Sequence, residues 1–219
     1  MAQKINLLAI ETSTSRASVA LSVAGKRFVL DETGTHQHAK VLLLMIEQLL
    51  STAGIDFKAL DGIVFGEGPG SFTGVRVACS VAKGLAYAYN LPVFPVSGLQ
   101  AIASEVRQFK QPALVMLDAR MHQVYWAFEP QLDCIAKVSS PENVCIPENT
   151  PVVLAGVGFK PYVAALPEVV RQAIISQHDI FPEASVMIDL VQAGGIASVT
   201  AEKAVPSYVR EQVTGDGRG

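Results

Sequence analysis

The sequence predicts an α/β protein of two similar lobes, each with a mixed β-sheet and flanking helices. Two observations carry this prediction. The order strand, turn, strand, turn, strand occurs twice along the 219 residues, and each occurrence opens with an apolar run that ends in an acidic residue, Glu11 or Asp118. Longer segments with the apolar periodicity of helices separate the strands, as in layered α/β proteins. The repetition indicates an internal duplication.

The first lobe is expected to hold a three-stranded meander followed by helices and further strands. Ala24-Gly25 provides the turn between its second and third strands, and Gly54 is a natural end for its first helix. Ser97 is placed to cap a further helix that reaches about Gln108. The predicted strands are Ile5–Glu11, Ala17–Val23, Lys26–Glu32, Gly62–Glu67 and Val93–Val96, and the predicted helices are His38–Ala53 and Gly74–Tyr89.

The second lobe repeats the meander with weaker signals. We predict strands at Ala113–Asp118, Gln123–Glu129, Leu132–Val138 and Val152–Ala155, a helix at Ala184–Ala193 and a loose tail at Thr214–Gly219. The predicted division falls at Ser97, with an N-terminal lobe at residues 1–97 and a C-terminal lobe at 98–219. The layout is similar to that of the actin-like (ASKHA, ribonuclease H-like) folds, in which the two acids face a cleft that holds ATP and a metal ion. Fold likeness alone does not decide function.

The composition limits the possible function classes. Only 17% of the residues are charged, against about 25% in typical soluble domains, which indicates that some surface is not meant to face water. The net charge of −3 lacks the basic excess of a protein that grips RNA by itself. Three cysteines without CxxC spacing argue against a disulfide framework, and the N-terminal apolar run is too short for a signal peptide or membrane span. We expect a cytoplasmic protein without a membrane role that contacts tRNA only indirectly.

The stretch GEGPGSFTGVRV, residues 66–77, has the glycine content of a phosphate-binding loop. It lacks the lysine of a Walker loop, the third glycine of the dinucleotide fingerprint and the flanking glycines of a serine-hydrolase elbow. A tight strand-to-helix turn capped by Ser71 or Thr73 explains the glycines better. Backbone amides at the helix start remain able to hold an anion, so Gly70 and Ser71 stay candidates for facing a nucleotide.

The two helices predicted before and after this loop region lack a polar face. Val41 to Ile46 are six consecutive apolar residues, which cover every side of a helix, and the second helix carries only Arg76 and Lys83 as charges. The alternative is a pair of helices buried on both sides, but little chain remains to cover them. We predict instead an exposed apolar patch that receives a partner.

Metal ligation and acid–base chemistry have weak support in the sequence. His36 and His38 form an HxH pair, whereas helical metal sites usually use i, i+4 spacing, and no third ligand is evident. Glu11 and Asp118 fit either a metal-binding or water-activating pair or strand-end acids that cap turns. We predict no metal site and no catalytic residue.

Four segments together resemble the bacterial TsaB (YeaZ) family of tRNA threonylcarbamoyladenosine biosynthesis. They are the glycine loop, the opening strand and turn Ala9–Ser13, the second-lobe signature within residues 117–127, and the C-terminal segment Pro206–Arg210. The family usually has Asp where this chain has Glu11. The segments occur in the family's order and span nearly the whole chain.

The resemblance implies a two-lobed actin-like fold and a subunit that is not itself the catalyst. Such a subunit pairs with a catalytic homologue, TsaD, which binds ATP and a metal ion and attaches threonylcarbamoyl to the adenosine next to the anticodon of tRNA. A small ATPase, TsaE, joins them, and the subunit also self-associates as a homodimer through the same surface. No cofactor is therefore expected on this chain alone, and its sequence lacks the HxxxH metal motif of the catalytic relatives.

The partner surface implied by the resemblance is formed by the first two helices. Its candidate contacts are His38, Leu42, Met45, Ile46, Leu49, Phe72, Val75, Arg76, Cys79, Ser80 and Lys83. The candidates for a nucleotide-facing position are Glu11, Thr12, Ser13, Gly70, Ser71 and Asp118. Two alternative functions remain: a stand-alone actin-like ATPase with the two acids flanking its cleft, and a glycoprotease-like metallopeptidase that uses the HxH pair.

Overall fold

Ten strands and five α-helices make up the described part of the chain, which comprises residues 5–34, 38–129 and 136–209 of a computed structural model. The strands are β1 Leu7–Glu11, β2 Arg16–Val23, β3 Lys26–Thr33, β4 Gly62–Gly68, β5 Val93–Ser97, β6 Ala113–Arg120, β7 Gln123–Glu129, β8 Lys137–Ser139, β9 Val152–Val157 and β10 Ile174–Asp179. The helices are α1 His38–Ala53, α2 Phe72–Tyr89, α3 Gly98–Val106, α4 Glu168–Ala173 and α5 Ala184–Gln192.

The strands form two five-stranded sheets with the same connectivity. The first sheet has the order β3-β2-β1-β4-β5 and the second the order β10-β9-β6-β7-β8. In each sheet the meander is antiparallel, and the remaining two strands run parallel to the meander's first strand. Strands β1 to β5 therefore correspond in order to β6 to β10. The predicted fold class, a duplicated two-lobed α/β protein with mixed sheets, is confirmed.

The first sheet is covered by helices on both faces because side chains alternate along β1. Leu8 and Ile10 point into a core shared with α1 and α2. Leu7 and Ala9 point to the opposite face, where they pack against α5 and α3. Each face of a sheet buries every second residue of a strand, so the apolar run Leu7–Ile10 of β1 requires helices on both sides.

The last third of the chain returns to the first sheet. Helix α5 packs its buried side, including Met187 and Ile188, against β1, β2 and β4. Val199 then pairs with Val93 at the edge of β5 through two backbone hydrogen bonds of 2.9 and 2.8 Å. The predicted division at Ser97 coincides with the end of β5. Residues 184–199 nevertheless contribute to the core of the first sheet.

Several elements of the second lobe differ from the sequence-based prediction. Strand β8 begins at Lys137, and residues 132–135 of the predicted strand lie outside the described residues, as do His36 and the tail Thr214–Gly219. Strand β10 and helix α4 were not predicted, since β10 is a half-exposed edge strand and α4 has only six residues. Among the described residues, no helix is both long and apolar enough to cross a bilayer.

Candidate functional site

The glycine loop after β4 packs against the turn between β1 and β2. A Cβ atom on Gly70 would overlap the carbonyl oxygen of Ser13, and one on Gly74 would overlap that of Thr12. The backbone amide of Ser71 donates to the Ser13 carbonyl at 2.7 Å, and the Thr12 hydroxyl donates to the Gly74 carbonyl at 2.7 Å. These glycines therefore permit a close approach between the backbones of the loop and of the β1–β2 turn.

The start of α2 is capped from within the loop. Ser71 is the N-cap residue, its hydroxyl accepts a hydrogen bond from the Gly74 amide at 3.3 Å, and its carbonyl accepts from the Val75 amide at 2.9 Å. The helix begins at Phe72, two residues before the predicted start. Of the two capping residues that the sequence allowed, the structure selects Ser71.

The carboxyl group of Glu11 is buried behind the glycine loop. Its Oε1 accepts a hydrogen bond from the backbone amide of Ser13, and its Oε2 lies where a Cβ atom of Gly66 would be. Among the described residues, no hydrogen-bond partner reaches Glu11 Oε2, Ser13 Oγ or Ser97 Oγ. Burial without a compensating cation raises the pKa of Glu11 to about 7.

Asp118 lies two residues before the end of β6, much as Glu11 lies at the end of β1, but its environment is different. It is only partly buried and accepts hydrogen bonds from the Tyr162 hydroxyl at 2.8 Å and from the Arg120 amide at 2.7 Å. The Arg120 guanidinium lies 3.3 Å from its second oxygen. All these partners belong to the second lobe, so Asp118 organises the β6–β7 turn in the manner of a turn-capping acid.

The nucleotide-facing candidates thus divide into two groups. Glu11, Thr12 and Ser13 are buried and make their hydrogen bonds to the chain's own backbone, and Gly70 and Ser71 pack on the same turn. Asp118 bonds to residues of its own lobe instead. Within the described ranges, no three His, Cys, Asp or Glu side chains lie close enough together to hold a metal ion.

The exposed side of α1 is not the one chosen from the sequence. Four predicted contacts, Leu42, Met45, Ile46 and Leu49, are at most 6% exposed and pack in the core between α1 and the first sheet. Their assignment to a partner surface is corrected accordingly, because the chain's own sheet already covers them. The outward side chains are Leu43 and Leu44, which are 49% and 58% exposed. No side-chain position is described for His38.

The exposed side of α2 contains some of the predicted contacts and excludes others. Phe72, Arg76 and Ser80 are exposed one helical turn apart. Val75 and Cys79 are buried against the sheet and are corrected in the same way as the α1 residues. Two further positions are informative: Tyr87 is 78% exposed, and Lys83 is half-buried with its ammonium 3.3 Å from the Glu202 carbonyl.

We define the α1–α2 face as the outward side chains of these two helices, which lie side by side on the same side of the first sheet. It comprises Leu43, Leu44, Phe72, Arg76, Ser80 and Tyr87. Large exposed apolar and aromatic side chains of this kind, together with arginine, are typical of protein interfaces.

Sequence reasoning did not foresee the contribution of the C-terminal segment to this face. Residues 202–208 run along α2, and the Arg76 guanidinium stacks on the Phe72 ring and lies beside the ring of Tyr208. The sequence contained one signal for this contribution, Tyr208 in the C-terminal signature, because a large aromatic side chain usually packs against another part of the protein.

Comparisons with known proteins show which proteins this chain resembles. A family model described as "TsaD: tRNA N6-adenosine threonylcarbamoyltransferase" matches residues 28–145. The tRNA threonylcarbamoyladenosine biosynthesis protein TsaB of Haemophilus influenzae is 33% identical to this chain, over 97% of the chain and 96% of that protein. The chain belongs to the TsaB family. TsaB proteins take part in the biosynthesis of threonylcarbamoyladenosine in tRNA.

Two solved structures that are similar to this chain at more than 30% identity support its fold over more than nine tenths of its length. A Pseudomonas aeruginosa protein described as similar to the peptidase YeaZ superposes with a TM-score of 0.84 at 34% identity, covering 94% of this chain and 100% of that one. YeaZ from the same organism gives a TM-score of 0.79 at 33% identity, covering 93% of this chain and 99% of that one. The Escherichia coli TsaB is 37% identical over 56% of this chain and 54% of its own length.

Proposed function

We propose that this TsaB-family chain is a non-catalytic, activating subunit of the complex that attaches threonylcarbamoyl to the adenosine next to the anticodon in tRNAs. It acts by docking a TsaD-type catalytic homologue on its α1–α2 face. The observation that carries the proposal is the exposure of Leu44, Phe72 and Tyr87 on neighbouring helices, at 58%, 60% and 78%. A monomeric soluble protein rarely leaves such a set of large apolar groups in water.

The glycine loop is closed in the sense that it packs directly on the β1–β2 turn, and this packing supports a role other than phosphate chemistry. In this chain the Ser13 amide binds the Glu11 carboxyl group, and the Ser71 amide binds the Ser13 carbonyl. A nucleotide phosphate at this turn would have to displace both contacts and meet a buried acid. ATP and the metal ion are accordingly assigned to the catalytic subunit, and none is assigned to this chain alone.

Three further partners are expected: a second copy of the chain, a small ATPase and tRNA. A second copy of the chain competes for the α1–α2 face, so a homodimer is expected when the catalytic subunit is absent. A TsaE-type ATPase is expected to join the pair, and tRNA is expected to bind chiefly through the catalytic subunit, because this chain has a net charge of −3.

Light scattering coupled to size-exclusion chromatography tests this function. The chain is run alone and with the TsaD-type subunit of the same organism, as the wild type and as Leu44→Glu. The matched control is Val169→Glu on α4, where the native side chain is 57% exposed in the second lobe. We expect a mixed complex for the wild type and the control and none for Leu44→Glu. A normal complex with Leu44→Glu would refute docking through this face.

A further inference from the structure

One arginine on the α1–α2 face is held in place without a carboxylate partner. Arg16, Arg27, Arg107 and Arg120 each have an acidic side chain within 4 Å. Arg76 has none among the described residues, although it is exposed near the start of α2. An exposed arginine without a partner is usually mobile, so its surroundings decide whether it is organised for binding.

Two aromatic residues fix the Arg76 guanidinium. Its central carbon lies 3.6 Å from the centroid of the Phe72 ring, one helical turn away, and 5.7 Å from that of Tyr208. Its Nε donates a hydrogen bond to the Tyr208 hydroxyl at 2.9 Å. A guanidinium stacked on a ring and bonded at Nε has lost much of its rotational freedom before any partner arrives.

Tyr208 is itself held by the C-terminal segment. The Ser207 amide donates to the Glu67 carbonyl in the glycine loop at 2.8 Å, and Cys79 Sγ lies 3.6 Å from the Ala204 carbonyl. The Lys83 ammonium reaches the Glu202 carbonyl at 3.3 Å. Residues 202–208 are therefore tethered at two points of α2 and at one point of β4, and they bring a tyrosine from 132 positions later in the chain to Arg76.

The free donors of Arg76 define the chemistry of a ligand. Nε is occupied by Tyr208, and neither of the two terminal nitrogens has a hydrogen-bond partner within the described ranges. These two nitrogens form the end-on fork that matches the two oxygens of a carboxylate. Two exposed aromatic rings flank the guanidinium, which is a setting typical of protein interfaces, and the chain lacks the basic excess of a nucleic-acid surface.

We propose that Arg76, stacked on Phe72 and oriented by Tyr208, is the anchor that receives an aspartate or glutamate side chain of the docked catalytic subunit. The proposal rests on the proposed function, since it concerns the same α1–α2 face. Arg76 is the contact residue and Tyr208 is a positioning residue that acts through it. The C-terminal segment is then a working part of the docking surface.

Titration calorimetry of the full chain with the TsaD-type subunit tests this assignment. We expect Arg76→Gln to weaken the affinity about 10- to 100-fold, as for loss of a charge-assisted bidentate contact, and to reduce its dependence on salt. Arg76→Lys keeps the charge but loses the two-nitrogen fork, so its affinity should lie between those of the wild type and of Arg76→Gln. The matched control is Arg171→Gln on α4, an exposed arginine that also lacks an ion pair within the described residues, and it should leave the affinity unchanged.

Tyr208→Phe distinguishes positioning from general stabilisation. It removes only the hydroxyl that orients Arg76, so we expect a loss of about three- to tenfold in the wild-type background and no further loss in the Arg76→Gln background. A merely structural role would instead give equal losses in both backgrounds together with a lower Tm of the isolated chain.

Three outcomes would overturn the proposal. Unchanged affinity of both Arg76 variants would remove the anchor, and additive effects of the Tyr208 and Arg76 substitutions would remove the positioning role. If the Arg76→Gln chain docked normally but its complex no longer retained tRNA, the two terminal nitrogens of Arg76 would be assigned to a tRNA phosphate instead of a carboxylate. Leu44→Glu separates this failure from that of the proposed function: if it abolishes docking while the Arg76 variants do not weaken it, only the carboxylate anchor is wrong.

Discussion

Glu11 and Asp118 show how one chemical group takes different roles at equivalent positions of a duplicated fold. Glu11 ends β1 and Asp118 lies two residues before the end of β6, and each accepts a hydrogen bond from the backbone amide two residues later. Asp118 adds a tyrosine hydroxyl and a guanidinium, whereas the second oxygen of Glu11 has no partner among the described residues. The protonation of Glu11 is therefore coupled to folding.

Replacing Glu11 by Gln should abolish one component of the pH dependence of stability. The folded pKa is raised from 4.5 to about 7 by burial, so the protonated form favours folding. This contribution is fully present below about pH 4.5 and is lost as the pH rises through about 7. We expect the wild type to lose about 3 kcal/mol relative to the Gln variant between these limits.

Urea unfolding of both chains at pH 5, 6, 7 and 8 measures this difference. The comparison between the chains is needed because burial also raises the pKa values of Glu67 and Glu105. Free energies of unfolding that run parallel across this range would show that Glu11 is not the titrating group.

At the scale of elements, α2 joins the glycine loop to the α1–α2 face. Its first turn is fixed by the approach of the β1–β2 turn, its inner side by the sheet, and one flank by residues 202–208. The glycines of this helix consequently serve different purposes. A Cβ atom on Gly74 would overlap the backbone of the β1–β2 turn. A Cβ atom on Gly84 would meet no atom of another segment within 4 Å.

Alanine substitutions at these two glycines form a matched pair. Gly74→Ala should lower the free energy of unfolding by about 1–3 kcal/mol or more, because its Cβ atom overlaps the Thr12 carbonyl. Gly84→Ala should raise it by about 0.5–1 kcal/mol, since alanine loses less backbone entropy in a helix interior. Chemical denaturation of the isolated variants checks both signs, and a neutral Gly74→Ala would contradict the close packing of the loop.

The sequence predicted some elements well and others not at all, for identifiable reasons. The bounds of α1 and β7 agree with the prediction because clear apolar patterns and end signals such as Gly54 mark them. The outward side of α1 could not be chosen, because six consecutive apolar residues contain no helical period and only the neighbouring sheet decides which are buried. The failure of the phosphate templates was readable from residues 66–77. The packing that requires Gly70 and Gly74 was not readable there, because it is a tertiary contact in which Thr12 lies 62 residues before Gly74.

At the scale of the whole molecule, the duplication has produced two lobes with one topology and different sites. The first lobe holds a closed loop and an exposed apolar face, and the second holds the turn organised by Asp118. The C-terminal third connects back to the first lobe through α5 and residues 199–208. This arrangement fits a subunit whose working surface is a docking face.

Calorimetry with ATP and Mg²⁺ on the isolated chain distinguishes this account from a stand-alone actin-like ATPase. We expect no heat of binding, because the backbone amide of Ser13 already donates to Glu11 and the loop at Gly70 packs directly against the backbone of Ser13. Micromolar binding by the isolated chain would favour the ATPase, and the Val169→Glu variant would then be expected to bind equally well.

The most direct test of the central claim is the initial rate of threonylcarbamoyladenosine formation by the reconstituted complex, measured against the concentration of this chain. Leu44→Ala removes apolar surface from the α1–α2 face without adding a charge. A docking subunit predicts the same maximal rate for the wild type and the variant, with the half-maximal concentration raised roughly 5- to 30-fold in the variant. An unchanged half-maximal concentration with a lower maximal rate would contradict the account, because it would place Leu44 in the chemistry instead of in the docking face.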